Sequence, residues 1–355
     1  MDAGNLVLKV IKNNQSPVAI SQEFTDCNAC PKPDIYLIVA DEYAGQTQLK
    51  DLFGFDNAPF LAELEKRNFH VVSNSSANYN FTEYSIASLL NMNYLTGVSE
   101  HVNNLKYLPI VLNTLKKSRA LGYFLSQGYS FYNYSIFDFN NHLAPVPPTF
   151  LPLKTISITS QTFTTRIQRD LGYHLLTTLK IKKILSDYYY KDLNNNNKIY
   201  ELTESIASKK TKNPKFIYTH LVMPHYRYYF DSNSQPVPFE KIINDAYCKD
   251  KNSYIEYLQY TNKKLLALID HIKKSSDKPP VIILMSDHGY RQFKNNEPEY
   301  KEYQFMNLNA VYFPDKNYSL LYNNISNVNQ FRVILNSLFQ QKIPLLKDST
   351  IFLDQ

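Results

Sequence analysis

Glycine is scarce and tryptophan is missing: the 355 residues hold 8 Gly and no Trp. There is no GxGxxG and no GxxxxGK[ST] segment, so the usual backbone cradles for dinucleotides and nucleoside triphosphates are absent and those enzyme classes drop out. Cysteine is rare as well. Cys27, Cys30 and Cys248 are too few for a disulfide framework, and one CxxC without a second pair cannot make a four-thiolate zinc site. A local Cys27–Cys30 disulfide and free thiols both stay open. No stretch approaches the roughly 18 apolar residues of a spanning helix. Met1–Lys12 lacks the basic start and apolar core of a signal peptide, so the chain reads as soluble as written. No block of five like charges occurs, and 38 Lys+Arg against 32 Asp+Glu leave a net charge of +6. That field is too weak to argue for nucleic acid as a partner. What is present suffices for a large core: 44% of residues are apolar, which excludes overall disorder. The 29 Tyr and 21 Phe, with many Asn and Lys, read as the bias of an AT-rich coding sequence rather than as a ligand platform.

Residues 1–33 are polar and irregular, end in Pro31-Lys32-Pro33, and read as a leader or linker ahead of one domain over 34–355. Ile35–Ala40 is a continuous apolar run of strand length, the pattern of a strand buried on both faces, and it stops at Asp41-Glu42. Phe69–Ser73, Phe216–Leu221 and Val281–Met285 repeat the pattern. Helical periodicity fills the intervals. Asn57–Arg67 has apolar Phe60, Leu61 and Leu64, and Tyr254–Ile272 aligns Tyr254, Leu258, Leu265, Leu268, Ile269 and Ile272. Val328–Phe339 follows Ser326 or Asn327 as N-cap. The Asn194–Asn197 run reads as a solvated loop tip between helices. Alternating strands and helices predict an α/β domain with a mostly parallel central sheet and helices on both faces, whose ligands collect at the carboxyl ends of the strands.

Polar chemistry falls at those ends. Asp41-Glu42 closes the first apolar strand, where a carboxylate is costly to desolvate unless a cation or donors await it; a turn-capping role fits Asp41 equally well. Ser286-Asp287-His288-Gly289 closes another. A carboxylate and an imidazole at one strand end suit a divalent metal if the chain turns there, and Gly289 permits the turn. Thr82 precedes a helical segment over 83–90, at an N-terminus whose free N–H groups favour an anion. Taken alone, it reads as a helix cap. Thr219-His220-Leu221-Val222-Met223-Pro224-His225 places two histidines at another strand end, where a lone His is more often structural than catalytic.

In order and placement these four features resemble the alkaline phosphatase superfamily, in its sulfatase-like branch, which includes lipoteichoic acid synthases and lipid A phosphoethanolamine transferases. The resemblance spans roughly residues 33–340. It implies an acidic metal ligand at Asp41, a nucleophile at Thr82 with a small hydroxyl residue three positions on at Ser85, the histidine pair His220 and His225, and the Ser286–Gly289 strand end.

By this resemblance Asp41, Asp287 and His288 hold one divalent metal, Zn or Mn before Mg or Ca, with the Thr82 oxygen as fourth ligand and Glu42 as an additional candidate. Thr82 becomes an alkoxide nucleophile and forms a phosphothreonine. His225 contacts the phosphoryl oxygens or the leaving group, His220 is structural or a minor substrate contact, and Arg227 is a candidate anion clamp. True sulfatases place Pro two and Arg four positions after the nucleophile, where this chain has Tyr84 and Ile86. Their nucleophile is oxidised to an aldehyde, which the β-methyl of Thr82 forbids. Phosphate esters are therefore expected over sulfate esters. No second Asp/His set of the kind that holds two zinc ions is evident. The implied function is a metal-dependent hydrolase or transferase of small-molecule, lipid or glycan esters on the extracytoplasmic side. The alternative is a non-catalytic metal- or headgroup-binding module on the same fold, whose mark would be an eroded ligand.

Overall fold

The computed structural model describes residues 24–98, 104–147, 182–244, 250–292 and 300–354. Six strands form one sheet: β1 Ile35–Ala40, β2 His70–Val71, β3 Ser130–Tyr134, β4 Lys215–Leu221, β5 Val281–Met285 and β6 Asn309–Tyr312. Their order is β2-β6-β5-β1-β4-β3. The four strands β5, β1, β4 and β3 run parallel, while β6 is antiparallel to β5 and to β2. Every residue of β1, β4 and β5 is buried, as apolar runs covered on both faces require.

The helices among the described residues are α1 Gln46–Phe53, α2 Ala58–Lys66, α3 Thr82–Asn91, α4 Asn104–Lys116, α5 Arg119–Ser126, α6 Lys182–Tyr189, α7 Lys191–Ser208, α8 Phe239–Asn244, α9 Lys251–Ser275 and α10 Asn327–Phe339. One group gathers α1, α2 and α7 around α9, and a second gathers α4, α5 and α10 around α3. The two groups cover the two faces. The expected stripe of α9, from Tyr254 to Ile272, is buried.

Three details differ from the sequence reading. β3 and β6 are strands that the sequence reading did not include; β3 alternates half-buried and buried residues, as an edge strand does, and β6 is only 4 residues long. The Asn194–Asn197 run is not a solvated tip but lies inside α7, with Asn195 and Asn196 buried. Asn196 Nδ2 donates to Val222 O at 2.8 Å and its Oδ1 accepts from Val222 N–H at 2.7 Å, replacing the ladder partners that the chain loses beyond β4. Ser326 occupies the N-cap of α10, yet its hydroxyl donates to Asp348 at 2.6 Å, while Asn78 Oδ1 accepts the N–H of Val328.

Residues 24–33 lie against this domain. Gln341 exchanges hydrogen bonds with both backbone groups of Thr25, and Lys32 Nζ donates to Gln127 O. Cys27 and Cys30 form a disulfide. Cys248 lies outside the described residues. No described helix is long and apolar enough to cross a membrane.

Candidate active site

Register decides which side chains meet. Ala40 pairs with Leu221 and Val39 with Met285, so β1, β4 and β5 end level with one another. Asp41 N–H extends the ladder by one bond, to Leu221 O at 3.0 Å. Glu42 then turns the chain with φ 58°, a left-handed conformation uncommon outside Gly, Asn and Asp. Its N–H donates to Asp287 Oδ1 at 3.0 Å, which ties the end of β1 to the end of β5.

The segment after β5 is pinned throughout. The Asp287 carbonyl accepts from Ser85 Oγ at 2.6 Å and Asn327 Nδ2 at 3.1 Å, and Ser286 Oγ donates to His288 O at 2.6 Å. Gly289 is required by packing: a Cβ there would stand 2.5 Å from the carbonyl oxygens of Met306 and Tyr303. Thr82 is the first residue of α3, with Phe81 at the N-cap and no side-chain capping bond. Its position therefore departs from a cap threonine. Thr82 Oγ1 instead lies 3.2 Å from His288 Nε2.

Asp41, Asp287 and His288 are fully buried and present ligand atoms all within 4.8 Å of one another. Their hydrogen bonding fits a cation. His288 Nδ1 is 2.7 Å from Gly289 O, which can only accept, so the ring proton sits on Nδ1 and the Nε2 lone pair faces inward. That lone pair is 3.2 Å from Asp287 Oδ2. Asp287 Oδ2 and Asp41 Oδ1 have no hydrogen-bond partner among the described residues. Two unpartnered carboxylate oxygens beside an imidazole lone pair suit a divalent ion of mixed N/O preference. Burial and the Asp287 charge push the Asp41 pKa well above the ordinary carboxylate range. In Asp287 burial also opposes the charge, but His288, His220 and the Glu42 N–H outweigh it and lower the pKa.

His220 sits behind Asp41. Its Nε2 donates to Asp41 Oδ2 at 3.1 Å and its Nδ1 accepts from Tyr218 OH at 2.8 Å. Burial holds its pKa down to about 4, so it is a neutral orienting group for Asp41. His225 Nδ1 donates to Tyr226 O at 2.7 Å, and Nε2 is 3.6 Å from Glu42 Oε2. Burial disfavours its charge, but Glu42 and Asp41 prevail and raise its pKa. Glu42 Oε1 accepts from Arg291 N–H at 2.9 Å and Oε2 from Gln292 Nε2 at 3.2 Å; this carboxylate lies outside the three-ligand cluster. Arg227 stacks on the Tyr189 ring at 4.2 Å and the Tyr188 ring at 5.1 Å.

Sequence reasoning passed over Tyr218, Asn327 and Arg291. Only Arg291 left a signal, as a cation three residues past His288.

The fold is that of an α/β domain of the alkaline-phosphatase-like class, and the candidate site lies at the carboxyl ends of its parallel strands. The family model described as Sulfatase matches residues 33–331, and the chain belongs to the sulfatase family, as a sulfatase-like hydrolase or transferase. No curated protein matches the sequence. Among solved structures, the C-terminal periplasmic domain of EptC from Escherichia coli is similar at 15% identity and TM-score 0.51, covering 88% of this chain and 84% of that one. The corresponding domain of the phosphoethanolamine transferase EptC from Campylobacter jejuni gives 15% identity and TM-score 0.50, with 89% and 92% covered. The integral membrane lipooligosaccharide phosphoethanolamine transferase A from Neisseria meningitidis gives 13% and 0.53, with 99% of this chain and 62% of that one covered. At such identities these likenesses establish the fold alone.

Proposed function

We propose that the chain is a metal-dependent hydrolase or transferase of phosphate esters, with sulfate esters as lesser substrates, working through a covalent intermediate on Thr82. The observation that carries this reading is the convergence of ligand atoms of Asp41, Asp287 and His288, with Asp41 Oδ1 and Asp287 Oδ2 unpartnered among the described residues and the His288 Nε2 lone pair 3.2 Å from Thr82 Oγ1 at a helix N-terminus. Asp41, Asp287 and His288 would hold one divalent ion, with the Thr82 oxygen as fourth donor, and this mixed set favours Zn²⁺ or Mn²⁺ over Mg²⁺ or Ca²⁺. Such an ion, when bound, supplies Lewis acidity that lowers the pKa of a neighbouring hydroxyl and offsets charge on the transferring group.

Thr82 Oγ1 gives its proton to solvent water and attacks phosphorus, forming a P–O bond as the bond to the leaving alcohol breaks. The N-terminal end of α3, through its first-turn N–H groups and dipole, stabilises the charge that develops on the equatorial oxygens. His225, with its raised pKa, protonates the leaving oxygen or holds the phosphoryl oxygens through its N–H. Water or an acceptor alcohol then attacks the phosphothreonine and frees Thr82; the first outcome is hydrolysis and the second transfer. Glu42 serves beside His225 rather than as a ligand. The resemblance to periplasmic domains and to phosphoethanolamine transferases supports an extracytoplasmic site of action on a lipid or glycan ester.

The test is a panel of p-nitrophenyl phosphate, bis-p-nitrophenyl phosphate and p-nitrophenyl sulfate, run with metal analysis. Turnover of a phosphate ester that stops on chelation is expected. A higher kcat/KM for the sulfate ester overturns the substrate preference, and activity indifferent to chelation overturns the metal dependence.

A further inference from the structure

We propose that Arg291 is the side chain of this site that binds the tetrahedral oxyanion of the ester, against Thr82, and that Glu42 is the residue that positions it; the proposal rests on the functional reading above. The guanidinium carbon of Arg291 stands 4.3 Å over the ring of Phe81, the residue before Thr82. Nη1 makes one long bond to Asn80 O at 3.4 Å, and Nε is buried with no hydrogen-bond partner among the described residues. No described carboxylate forms an ion pair with it. A guanidinium carries five N–H donors in a planar fork that matches two oxygens of a phosphate or sulfate. Among the described residues, Asn80 O is the one hydrogen-bond acceptor these donors meet, one residue from Phe81 and two from the nucleophile.

Three other described arginines are held differently. Arg67 is closed by Asp270, with Nε and Nη2 each 2.8 Å from a carboxylate oxygen, and by Glu63. Arg332 spends its N–H groups on the carbonyls of Met92 and Pro344. Arg227 lies over Tyr188 and Tyr189. The charge of Arg291, by contrast, is felt at Asp41, His225 and His288, each of whose pKa values it lowers.

Glu42 explains why the guanidinium stays available. Its carboxylate takes the backbone N–H of Arg291 at 2.9 Å and the amide of Gln292 at 3.2 Å. It grips the loop and leaves the cation alone. The φ of 58° at Glu42 aims the buried carboxylate while its own N–H remains on Asp287. One residue thereby fixes the loop that carries Arg291 to the strand end that carries Asp41.

The experiment titrates inorganic phosphate, and separately sulfate, into the zinc-loaded full chain by calorimetry. Arg291→Ala should weaken phosphate binding by roughly 10- to 100-fold, Arg291→Lys should fall between, and added guanidinium should restore part of the loss in Arg291→Ala. Zinc content and Tm should match wild type. Glu42→Gln should weaken binding in the wild-type background and add nothing to Arg291→Ala, a coupling that a merely structural role does not produce. Unchanged phosphate affinity in Arg291→Ala overturns the assignment, and additive losses overturn the positioning role of Glu42. Thr82→Ala separates this proposal from the one it rests on. If that variant turns over normally, the nucleophile assignment fails while the titration still decides Arg291. A wild-type protein that takes up no zinc is titrated metal-free, with the same comparison.

Discussion

The central strand has a carboxylate at each end, and the two live differently. At the entrance of β1, Asp34 Oδ2 is 3.0 Å from Lys215 Nζ and Oδ1 accepts the Lys215 N–H at 2.8 Å. The ammonium also donates to the carbonyls of Ile206 and Lys209. At the exit, Asp41 and Asp287 present ligand atoms within 4.8 Å of each other, and Asp41 Oδ1 and Asp287 Oδ2 are unpartnered among the described residues. The first arrangement is closed by the protein itself. The second is the arrangement that the proposed cation would complete. A buried charge that is fully paired holds the fold together, whereas a buried charge left unpaired costs stability and is retained for chemistry.

The sharpest way to break this comparison is at Thr82. Because Thr82 lies inside the first turn rather than at the N-cap and its hydroxyl meets His288, Thr82→Ala should cost little stability and leave the three other donors in place. It should still lower kcat by about three orders of magnitude or more, while Thr82→Ser retains part of the activity. Near-native turnover in Thr82→Ala would demand a water nucleophile. At the entrance the expected effect is reversed. Lys215→Met leaves Asp34 without its cation and should cost about 3 kcal/mol of stability, read by denaturant unfolding, with kcat unchanged in the folded fraction. A loss of kcat there would show that the two ends are not separable. Gly289→Ala should fall between, because a Cβ meets two fixed carbonyl oxygens. About 1–3 kcal/mol of overpacking strain is expected, with weaker metal uptake as the Asp287-His288 segment shifts. A neutral Tm would contradict the packing account.

Much of the exit end was legible in the sequence, because each of its central residues sits directly on an apolar run. Ile35–Ala40 announces Asp41, Val281–Met285 announces Asp287 and His288, and burial of whole strands makes their ends level. Thr82 was legible only through the order of motifs, since a threonine before a helix is usually a cap. Glu42 was read as an extra ligand or a supporting partner of the site, and the left-handed turn that aims its carboxylate is one that no spacing reveals. The supports are likewise products of folding: Tyr218 behind His220, Asn327 on the Asp287 carbonyl, and Asn196 on Val222 come from elements distant in sequence. β3 escaped because an edge strand in a Tyr- and Asn-rich chain carries no run of apolar residues, and β6 because its short segment Asn-Ala-Val-Tyr is no longer than a loop fragment.

The most direct measurement is a zinc or manganese titration of the wild-type chain and Asp41→Asn, followed by calorimetry and by Tm. One ion per chain should bind the wild type and raise its Tm by mass action. Asp41→Asn should lose that binding and, when metal-free, melt above the metal-free wild type, because the substitution removes a buried acid held against Asp287. Equal metal uptake by the two proteins, or a metal-free Asp41→Asn that melts lower, would contradict the claim that the exit of β1 is left open for a cation.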